Sequence, residues 1–260
     1  MPAAVEDLQA VVLAGGLGLR LRPAVADLPK VMAPVAGQPF LAHLLGRLQR
    51  QGVRRVVLCV GHKAEDIAGH FGDGRRHGLQ ITYSVEDTPA GTGGALRLAC
   101  RLLDPAFLLL NGDTAIDLDL CELRDYHRAR GGLVTVVGRR WRGRPRQDAG
   151  YVLAARGGRA LAFTRGPVAG RVFPEGELWV NCGWFMCERR AAEMIRRPPG
   201  AMSSQDALSL ESGLFASVLG AIFVFPTTQP FVDIGTPERY RRLKREWEDN
   251  AVPEPGPPAG

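Results

Sequence analysis

The feature that most constrains the fold is a regular alternation of short β-rich segments with amphipathic helical segments. The spacing predicts strands over residues 9–14, 54–60, 79–85, 107–111 and 133–138, separated by helices over about 39–51, 63–71, 93–102 and 120–130. Strands that alternate with helices of this length form βαβ units with right-handed crossovers. The sequence therefore predicts an α/β fold with a Rossmann-like, mainly parallel mixed sheet flanked by helices.

The alternation becomes less regular after Gly138. Strands are predicted over 151–155, 159–164, 178–187 and 221–225, with helices near 188–196, 207–218 and 237–248. Because full helices are missing between the first three of these strands, we interpret them as a mixed extension of the same sheet. We therefore expect a single domain over residues 1–248, followed by a Pro/Gly-rich tail, residues 249–260, that is predicted to be disordered.

Composition excludes several classes of protein. The 260 residues contain no apolar run of membrane-spanning length, and the first ten residues lack the basic segment of a secretory signal. The five cysteines form neither a CxxC pair nor a Cys/His cluster with zinc spacing. This usage predicts reduced thiols in a cytoplasmic protein with no membrane partner.

The net charge of +6 includes a basic run, RRWRGRPR, at residues 139–146. No nucleic-acid motif or aromatic platform accompanies this run, so nucleic acid is not an expected partner. We interpret the run as a solvated basic loop.

The stretch LAGGLGLRLRP at residues 13–23 follows the first predicted strand. Its glycines permit close approach of backbone N–H groups to a phosphate, and Arg20, Arg22 and Lys30 supply positive charge. The spacing is GGxG and lacks the third glycine of the dinucleotide fingerprint, which argues against an NAD-dependent oxidoreductase, and no Walker loop is present. The stretch predicts a polyphosphate site at the carboxyl end of the first strand.

Five motifs resemble those of the sugar-1-phosphate nucleotidyltransferases. AGGLGLRLRP with LPKVMAPVAGQP resembles the opening signature, VEDTPAGTGGAL (85–96) the nucleotide loop, LLLNGDT (108–114) the metal-binding strand end, VNCG (180–183) the sugar-binding strand, and FVDIGTPERY (231–240) the late aspartate motif. The resemblance covers about residues 8–247. It is strongest to the D-glycero-α-D-manno-heptose-1-phosphate guanylyltransferases.

The resemblance implies the nucleotide-diphospho-sugar transferase type of fold and a transfer reaction. An NTP and a sugar 1-phosphate are joined to give an NDP-sugar and pyrophosphate, with Mg²⁺ as cofactor. It divides the domain into a nucleotide-binding half of about residues 8–138, a sugar-binding half of about 139–235 and a C-terminal helix of about 237–248. Because such enzymes often associate, a homo-oligomer is left open.

The resemblance also implies roles for individual residues. The catalytic residues are Arg20, Lys30 and Asp113, and the metal ligands are Asp113 and Asp233. The nucleotide-binding residues are Leu13, Ala14, Gly15, Gly16, Gly18, Arg20, Glu86, Pro89, Gly91 and Thr92, and the sugar-phosphate-binding residues are Gly150, Arg165 and Asn181. Two carboxylates completed by phosphate oxygens and water form a typical Mg²⁺ site.

Glu86 favours GTP among the nucleotides. A carboxylate only accepts hydrogen bonds, and the Watson–Crick edge of guanine offers N1–H and N2–H₂, whereas uracil and thymine offer one donor. With the acceptor that the resemblance implies, the expected reaction is transfer from GTP to D-glycero-D-manno-heptose 1-phosphate.

Two departures from the family pattern keep alternatives open. Leu19 replaces a hydroxyl residue in the glycine loop, and Thr164 with Arg165 replaces the Glu-Lys pair of the FxEK segment. The alternatives are a mannose-1-phosphate guanylyltransferase, a uridylyl-, thymidylyl- or cytidylyltransferase for glucose or amino-sugar phosphates, and a non-catalytic sensor of sugar nucleotides. Retention of both phosphate cations and both metal carboxylates favours an enzyme over a sensor.

Overall fold

The computed structural model describes residues 5–25, 27–142, 146–147, 149–166, 176–195 and 208–249. The strands are β1 Gln9–Leu13, β2 Pro34–Val35, β3 Gln38–Pro39, β4 Arg55–Val60, β5 Gln80–Val85, β6 Ala106–Asn111, β7 Thr114–Ile116, β8 Val134–Arg140, β9 Gly150–Ala155, β10 Ala160–Arg165, β11 Gly176–Glu188, β12 Ile222–Thr227 and β13 Phe231–Asp233. The α-helices are α1 Phe40–Arg50, α2 Ala64–Phe71, α3 Gly91–Leu98, α4 Leu120–Arg130, α5 Arg189–Glu193, α6 Ala216–Val218 and α7 Pro237–Asp249.

One mixed sheet organises the described residues, and this confirms the predicted fold class. Its order is β10-β9-β11-β6-β1-β4-β5, and β8 with β12 joins it through β11. Strands β6, β1, β4 and β5 are parallel, whereas β11 runs antiparallel to β6, β8 and β9. The strands after Gly138 therefore extend the same sheet, as their missing helices predict.

The alternation of side chains along each strand creates two apolar cores, one on each face of the sheet. In β1, Ala10 and Val12 lie in one core and Val11 lies in the other. Helix α1 contributes Phe40 and Leu44 to the first core because its apolar residues recur at helical spacing. The sheet is thus buried on both faces, as a parallel sheet requires.

The helices and strands differ from the sequence expectations mainly at short elements. Helix α3 ends at Leu98 and continues as a 3₁₀ turn, Ala99–Leu102. The sequence did not predict the two-stranded sheet of β7 and β13, nor that of β2 and β3. Residues 250–260 of the predicted disordered tail lie outside the described residues.

Backbone hydrogen bonds fix the loops that leave the carboxyl ends of the parallel strands. The amide of Ala14 donates to Cys59 (2.8 Å), that of Gly112 to Leu13 (2.9 Å), and that of Glu86 to Val60 (2.9 Å). The glycine loop, the loop carrying Glu86 and the NGD turn therefore start side by side at one edge of the sheet. None of the helices in the described ranges is both long enough and apolar enough to cross a membrane.

Candidate active site

A cleft of about 1160 Å³ lies at this edge of the sheet. It exceeds the roughly 300–1,000 Å³ of a site for one small ligand, so it has room for two substrates. The predicted site residues that line it are Leu13, Ala14, Gly15, Gly16, Gly18, Arg20, Lys30, Glu86, Pro89, Gly91, Thr92, Asp113, Gly150, Asn181 and Asp233. The side chain of Arg165 lies outside the described part of the structure, and its backbone pairs with Gly150 in the sheet.

The three glycines of the loop are required for different physical reasons. A Cβ on Gly15 would lie 2.6 Å from Oε1 of Glu86, so the carboxylate occupies the space of a side chain. Gly18 has a φ of +61°, and its Cβ would lie 3.0 Å from Cβ of Lys30. A Cβ on Gly16 would meet no described atom within 4 Å. Packing therefore explains Gly15 and Gly18, while Gly16 leaves open space beside the loop.

Lys30 forms an ion pair and a hydrogen bond with Asp113. Burial raises the pKa of Asp113, but the charge and the hydrogen bond of Lys30, together with the hydroxyl of Thr114, outweigh burial and keep the pKa below its ordinary value. The carboxylate is therefore ionised at neutral pH, and its charge is available to a cation in the cleft.

Asp233 reaches the same place through the small sheet of β7 and β13. Its backbone is paired with Thr114, the residue after Asp113, and Ile234 donates its amide to the carbonyl of Asp113 at 3.0 Å. Burial raises the pKa of Asp233, the amide of Gly235 opposes this, and the charge of Asp113 raises the pKa further. The two carboxylates are therefore close enough to interact electrostatically.

The carboxylate pair suits a divalent cation. Mg²⁺ is usually held by one or two carboxylates together with substrate phosphates and water. Among the residues described, no group of three or more His, Cys, Asp or Glu side chains is arranged to hold a metal ion. The donor set therefore fits a cation that is completed by a phosphate-bearing ligand, and Asp113 and Asp233 are the residues that could hold it.

Arg239, which the sequence analysis did not single out, binds Asp233. Its Nη1 lies 2.8 Å from Oδ1 and 2.9 Å from Oδ2 of that carboxylate. A Cβ on Gly235 would lie 2.9 Å from Oδ1 of Asp233, 3.7 Å from Nζ of Lys30 and 3.9 Å from Nη1 of Arg239. These groups therefore converge around a glycine whose lack of a side chain makes the arrangement possible.

Glu86 lies against the glycine loop and is only partly exposed. Its Oε2 accepts the amide of Ala90 at 3.2 Å, and a Cβ on Gly61 would lie 2.7 Å from its Cγ. Burial raises the pKa of Glu86, and the hydrogen bond from Ala90 opposes this. Gly61 is a residue that the sequence analysis missed, and it allows the close approach of Glu86 to the loop.

Residues 208–210 pack on the N-terminus of α3. The carbonyl of Leu208 accepts the amides of Gly93 (2.7 Å) and Gly94 (3.2 Å), and the hydroxyl of Thr92 accepts the amide of Leu210 (2.9 Å). A Cβ on Gly93 would lie 2.8 Å from the carbonyl of Ser209. Gly93 and Gly94 therefore allow this segment to pack closely on α3, and Ser209 and Leu210 of the segment line the cleft.

Asn181 and Gly150 lie together at the other end of the cleft. The side-chain oxygen of Asn181 accepts the amide of Gly183 at 2.9 Å, and a Cβ on Gly150 would lie 3.9 Å from its Nδ2. The pairing of β11 with β8 shifts register after Asn181, where Gly183 has a φ of +73°. Two extra residues of β11 are accommodated here, because Asn181 pairs with Gly138 and Phe185 with Val136, and Asn181, beside this irregularity, lines the cleft. Thr164 also lines the cleft.

The basic run that we interpreted as a solvated loop has a different setting in the structure. The cleft is lined by Arg139, Arg140, Trp141, Arg142 and Arg146, and also by Arg242 of α7. The described arginines of the run are exposed, and they line the site because β8 extends through Arg140 before the chain leaves the sheet. The density of arginines in this run was the signal that could have indicated an anion site. The sequence did not show that these arginines line the cleft.

The fold and the cleft together define an α/β protein that binds phosphate-bearing ligands at the carboxyl edge of a mainly parallel sheet. Residues 9–250 match the Nucleotidyl transferase family. Because this match spans most of the chain, the protein belongs to that family.

Three known proteins show the similarity in detail. The chain is 34% identical over 260 residues to mannose-1-phosphate guanylyltransferase of Mycobacterium tuberculosis, covering 97% of this chain and 68% of that protein. It is 32% identical over 242 residues to D-glycero-alpha-D-manno-heptose 1-phosphate guanylyltransferase of Aneurinibacillus thermoaerophilus, covering 93% and 99%. The crystal structure of HddC from Yersinia pseudotuberculosis complexed with GMP-PN has a TM-score of 0.72 and 26% identity, covering 92% and 99%.

Proposed function

We propose that the protein transfers a guanylyl group from GTP to D-glycero-D-manno-heptose 1-phosphate, giving GDP-heptose and pyrophosphate. The observation that carries this proposal is that one cleft gathers the glycine loop, Lys30 and both carboxylates at one edge of the sheet. Family membership supports the reaction class. A relative that aligns with this chain over 99% of its own length is named for this heptose reaction. A cytoplasmic location belongs to the same proposal.

The chemistry requires two anions to meet in one orientation. A phosphate oxygen of the sugar 1-phosphate attacks the α-phosphorus of GTP, the new P–O bond forms, and the bond to the β-phosphate breaks so that pyrophosphate leaves. Catalysis of this step is mainly alignment and charge neutralisation. Backbone amides beside Gly16 bind phosphate oxygens, Arg20 neutralises the departing pyrophosphate, and Lys30 contacts the reacting phosphate as a mobile point charge.

Asp113 and Asp233 are the residues that hold Mg²⁺ in this proposal. When bound, the ion neutralises phosphate charge and orients the triphosphate. The chain itself supplies the position of both carboxylates through the β7–β13 pairing. It also supplies the ionised state of Asp113 through Lys30.

Glu86→Gln is expected to weaken GTP selection. The change replaces one acceptor oxygen by a donor amide beside guanine N1–H and N2–H₂, and hydrogen bonds to charged groups contribute about 1.5–3 kcal/mol. The ratio of kcat/KM for GTP to that for ATP should fall at least about tenfold. Asp87→Asn, which removes a neighbouring exposed acid, is the matched control and should leave the ratio unchanged. Equal ratios in Glu86→Gln and in the wild type would remove Glu86 from base recognition.

The pH dependence gives a second check on Glu86. Its pKa is raised, and only the ionised carboxylate accepts two hydrogen bonds. GTP affinity is therefore complete above the raised pKa and is lost as the pH falls through it, at a higher pH than an ordinary glutamate would show. Isothermal titration across the acid range measures this, and the Glu86→Gln variant should lack the transition.

Mannose 1-phosphate is the second candidate for the acceptor. A guanylyltransferase named for this sugar is 34% identical and covers 97% of this chain. The two sugars have the same configuration around the ring, and the heptose has one additional hydroxylated carbon outside the ring. Residues beside the sugar end of the cleft, such as Asn181 and Thr164, are therefore the place where the choice is made.

A panel of four NTPs against several sugar 1-phosphates, read by pyrophosphate release, tests the function. GTP with the heptose phosphate is expected to give the highest kcat/KM. A higher value with mannose 1-phosphate supports the second candidate, and turnover with a pyrimidine nucleotide contradicts the guanylyl assignment. Absence of turnover with every pair contradicts the enzyme and favours a sensor of sugar nucleotides.

A further inference from the structure

Both carboxylates assigned to the metal carry a protein cation in this structure. Lys30 pairs with Asp113, and Arg239 binds both oxygens of Asp233 at 2.8 and 2.9 Å. The side chain of Arg239 is 15% exposed and that of Asp233 is 23% exposed, so the pair is largely shielded from solvent. Each carboxylate oxygen has two lone pairs, but a divalent cation bound to Asp233 would repel the adjacent guanidinium, and binding of the metal therefore favours movement of Arg239 away from this carboxylate.

Positive charge crowds the surroundings of Arg239. Arg20, Arg146 and Arg242 line the same cleft as this guanidinium. Among the described residues that line the cleft, eight carry a positive charge and four carry a carboxylate, an excess of four. A guanidinium displaced from Asp233 therefore enters a region that attracts anions.

The backbone of Arg239 does not have to shift for this movement. Helix α7 starts at Pro237, and the hydroxyl of Thr236 accepts the amide of Arg239 at 3.4 Å. The arginine side chain rotates about several single bonds, whereas its planar group of five N–H donors matches two oxygens of a phosphate. A change of rotamer is sufficient to transfer it from a carboxylate to a phosphate.

We propose that Arg239 is a phosphate-binding residue. Before substrates bind, its guanidinium pairs with Asp233, and it moves to a substrate phosphate when a divalent cation binds Asp233. The inference rests on the proposed function, since it uses the same metal carboxylates. Its partner is a phosphate group, which either the sugar 1-phosphate or the triphosphate supplies. Competition for Asp233 keeps the metal from binding well before a phosphate arrives, and this couples binding of the metal to binding of the substrate.

A purely structural role for Arg239 makes the opposite prediction. The amide of Gly235 already donates to Oδ1 of Asp233 at 2.9 Å, and the pairing with Thr114 fixes the backbone of Asp233. If Arg239 only oriented the carboxylate, its removal would weaken metal binding. If Arg239 competes with the metal for Asp233, removal of the Arg239 side chain should strengthen metal binding, because a competing cation is no longer present.

The test measures Mn²⁺ binding to nucleotide-free protein by electron paramagnetic resonance. Arg239→Gln is expected to bind Mn²⁺ about tenfold more tightly than the wild type, because the competing charged hydrogen bonds are gone. Arg239→Lys, which keeps the positive charge on a different side chain, should lie between the two. The control is Arg241→Gln, an exposed position on the same helix outside the cleft lining, which should not change the affinity. Unchanged or weaker Mn²⁺ binding in Arg239→Gln overturns the exchange.

A second measurement identifies the source of the phosphate. In Arg239→Gln, an approximately tenfold rise in Kd for GTP assigns the contact to the triphosphate, and a rise of this size in KM for the sugar 1-phosphate assigns it to the acceptor. Wild-type values for both in this variant overturn the phosphate-binding role. The Mn²⁺ measurement contains no nucleotide or sugar, so it tests the competition at Asp233 even if the substrate panel contradicts the proposed function.

Discussion

Asp113→Asn should reduce Mg²⁺-dependent turnover about a thousandfold or more, the size of loss that follows removal of a group that stabilises transition-state charge. Asparagine has nearly the shape of aspartate but no negative charge. It cannot bind the divalent cation as a carboxylate does, and it leaves Lys30 without its ion-pair partner. Steady-state pyrophosphate release with GTP and the preferred sugar phosphate, over a range of Mg²⁺ concentrations, measures the loss.

The chain offers a matched control in Asp104. Its carboxylate pairs with Arg55 at 2.8 Å and is 26% exposed, compared with 25% for Asp113, and it lies outside the cleft lining. Asp104→Asn therefore loses a comparable ion pair without touching the site and should retain turnover. An Asp113→Asn variant with at least a tenth of wild-type turnover would remove Asp113 from the metal site, and equal losses in both variants would indicate a general defect.

Trp184→Ala should lower the free energy of unfolding by about 3–5 kcal/mol, the range for removal of a large aromatic side chain from a core. Trp184 is fully buried in β11 opposite Leu110 of β6, and its indole N–H donates to the carbonyl of Thr114 at 3.2 Å. The substitution leaves a cavity and an unpaired carbonyl. Urea unfolding followed by far-ultraviolet circular dichroism measures the change.

Trp184→Phe separates the two contributions. It keeps most of the buried ring but removes the donor to Thr114, so it should cost about 1–3 kcal/mol, the desolvation penalty of an unsatisfied buried group. The bond supports β7, which follows Asp113 directly, and we therefore expect turnover to fall in the folded Phe variant as well. A loss below about 1 kcal/mol in Trp184→Ala would contradict the packing role.

Most of the sheet was predictable because buried positions are apolar, so the spacing of apolar residues indicates which segments form strands and helices. Strands such as β1, β4 and β6 are continuous apolar runs, and helix α1 shows its apolar face at helical spacing. Strands β7 and β13 were not predicted because each has three residues, too few for a period. These two strands nevertheless bring Asp113 and Asp233 together.

The motifs predicted which residues line the cleft, but not how they contact one another. The glycine spacing indicates a phosphate loop, yet only the fold explains Gly15 through its contact with Glu86. Arg239 lies within the late aspartate motif, but the motif does not indicate its contact with Asp233, which was expected to face a metal.

The sequence by itself determined the α/β class and predicted a phosphate site at one edge of the sheet, because periodicity and turn chemistry are local properties of the chain. The candidate residues there came from motifs that resemble those of a known family. Only the tertiary structure decided which cation lies on which carboxylate and that the described residues of the basic run line the cleft. Contacts of this kind join residues far apart in the chain, such as Lys30 with Asp113. Their geometry depends on packing and charge in the folded sheet, and local sequence does not encode it.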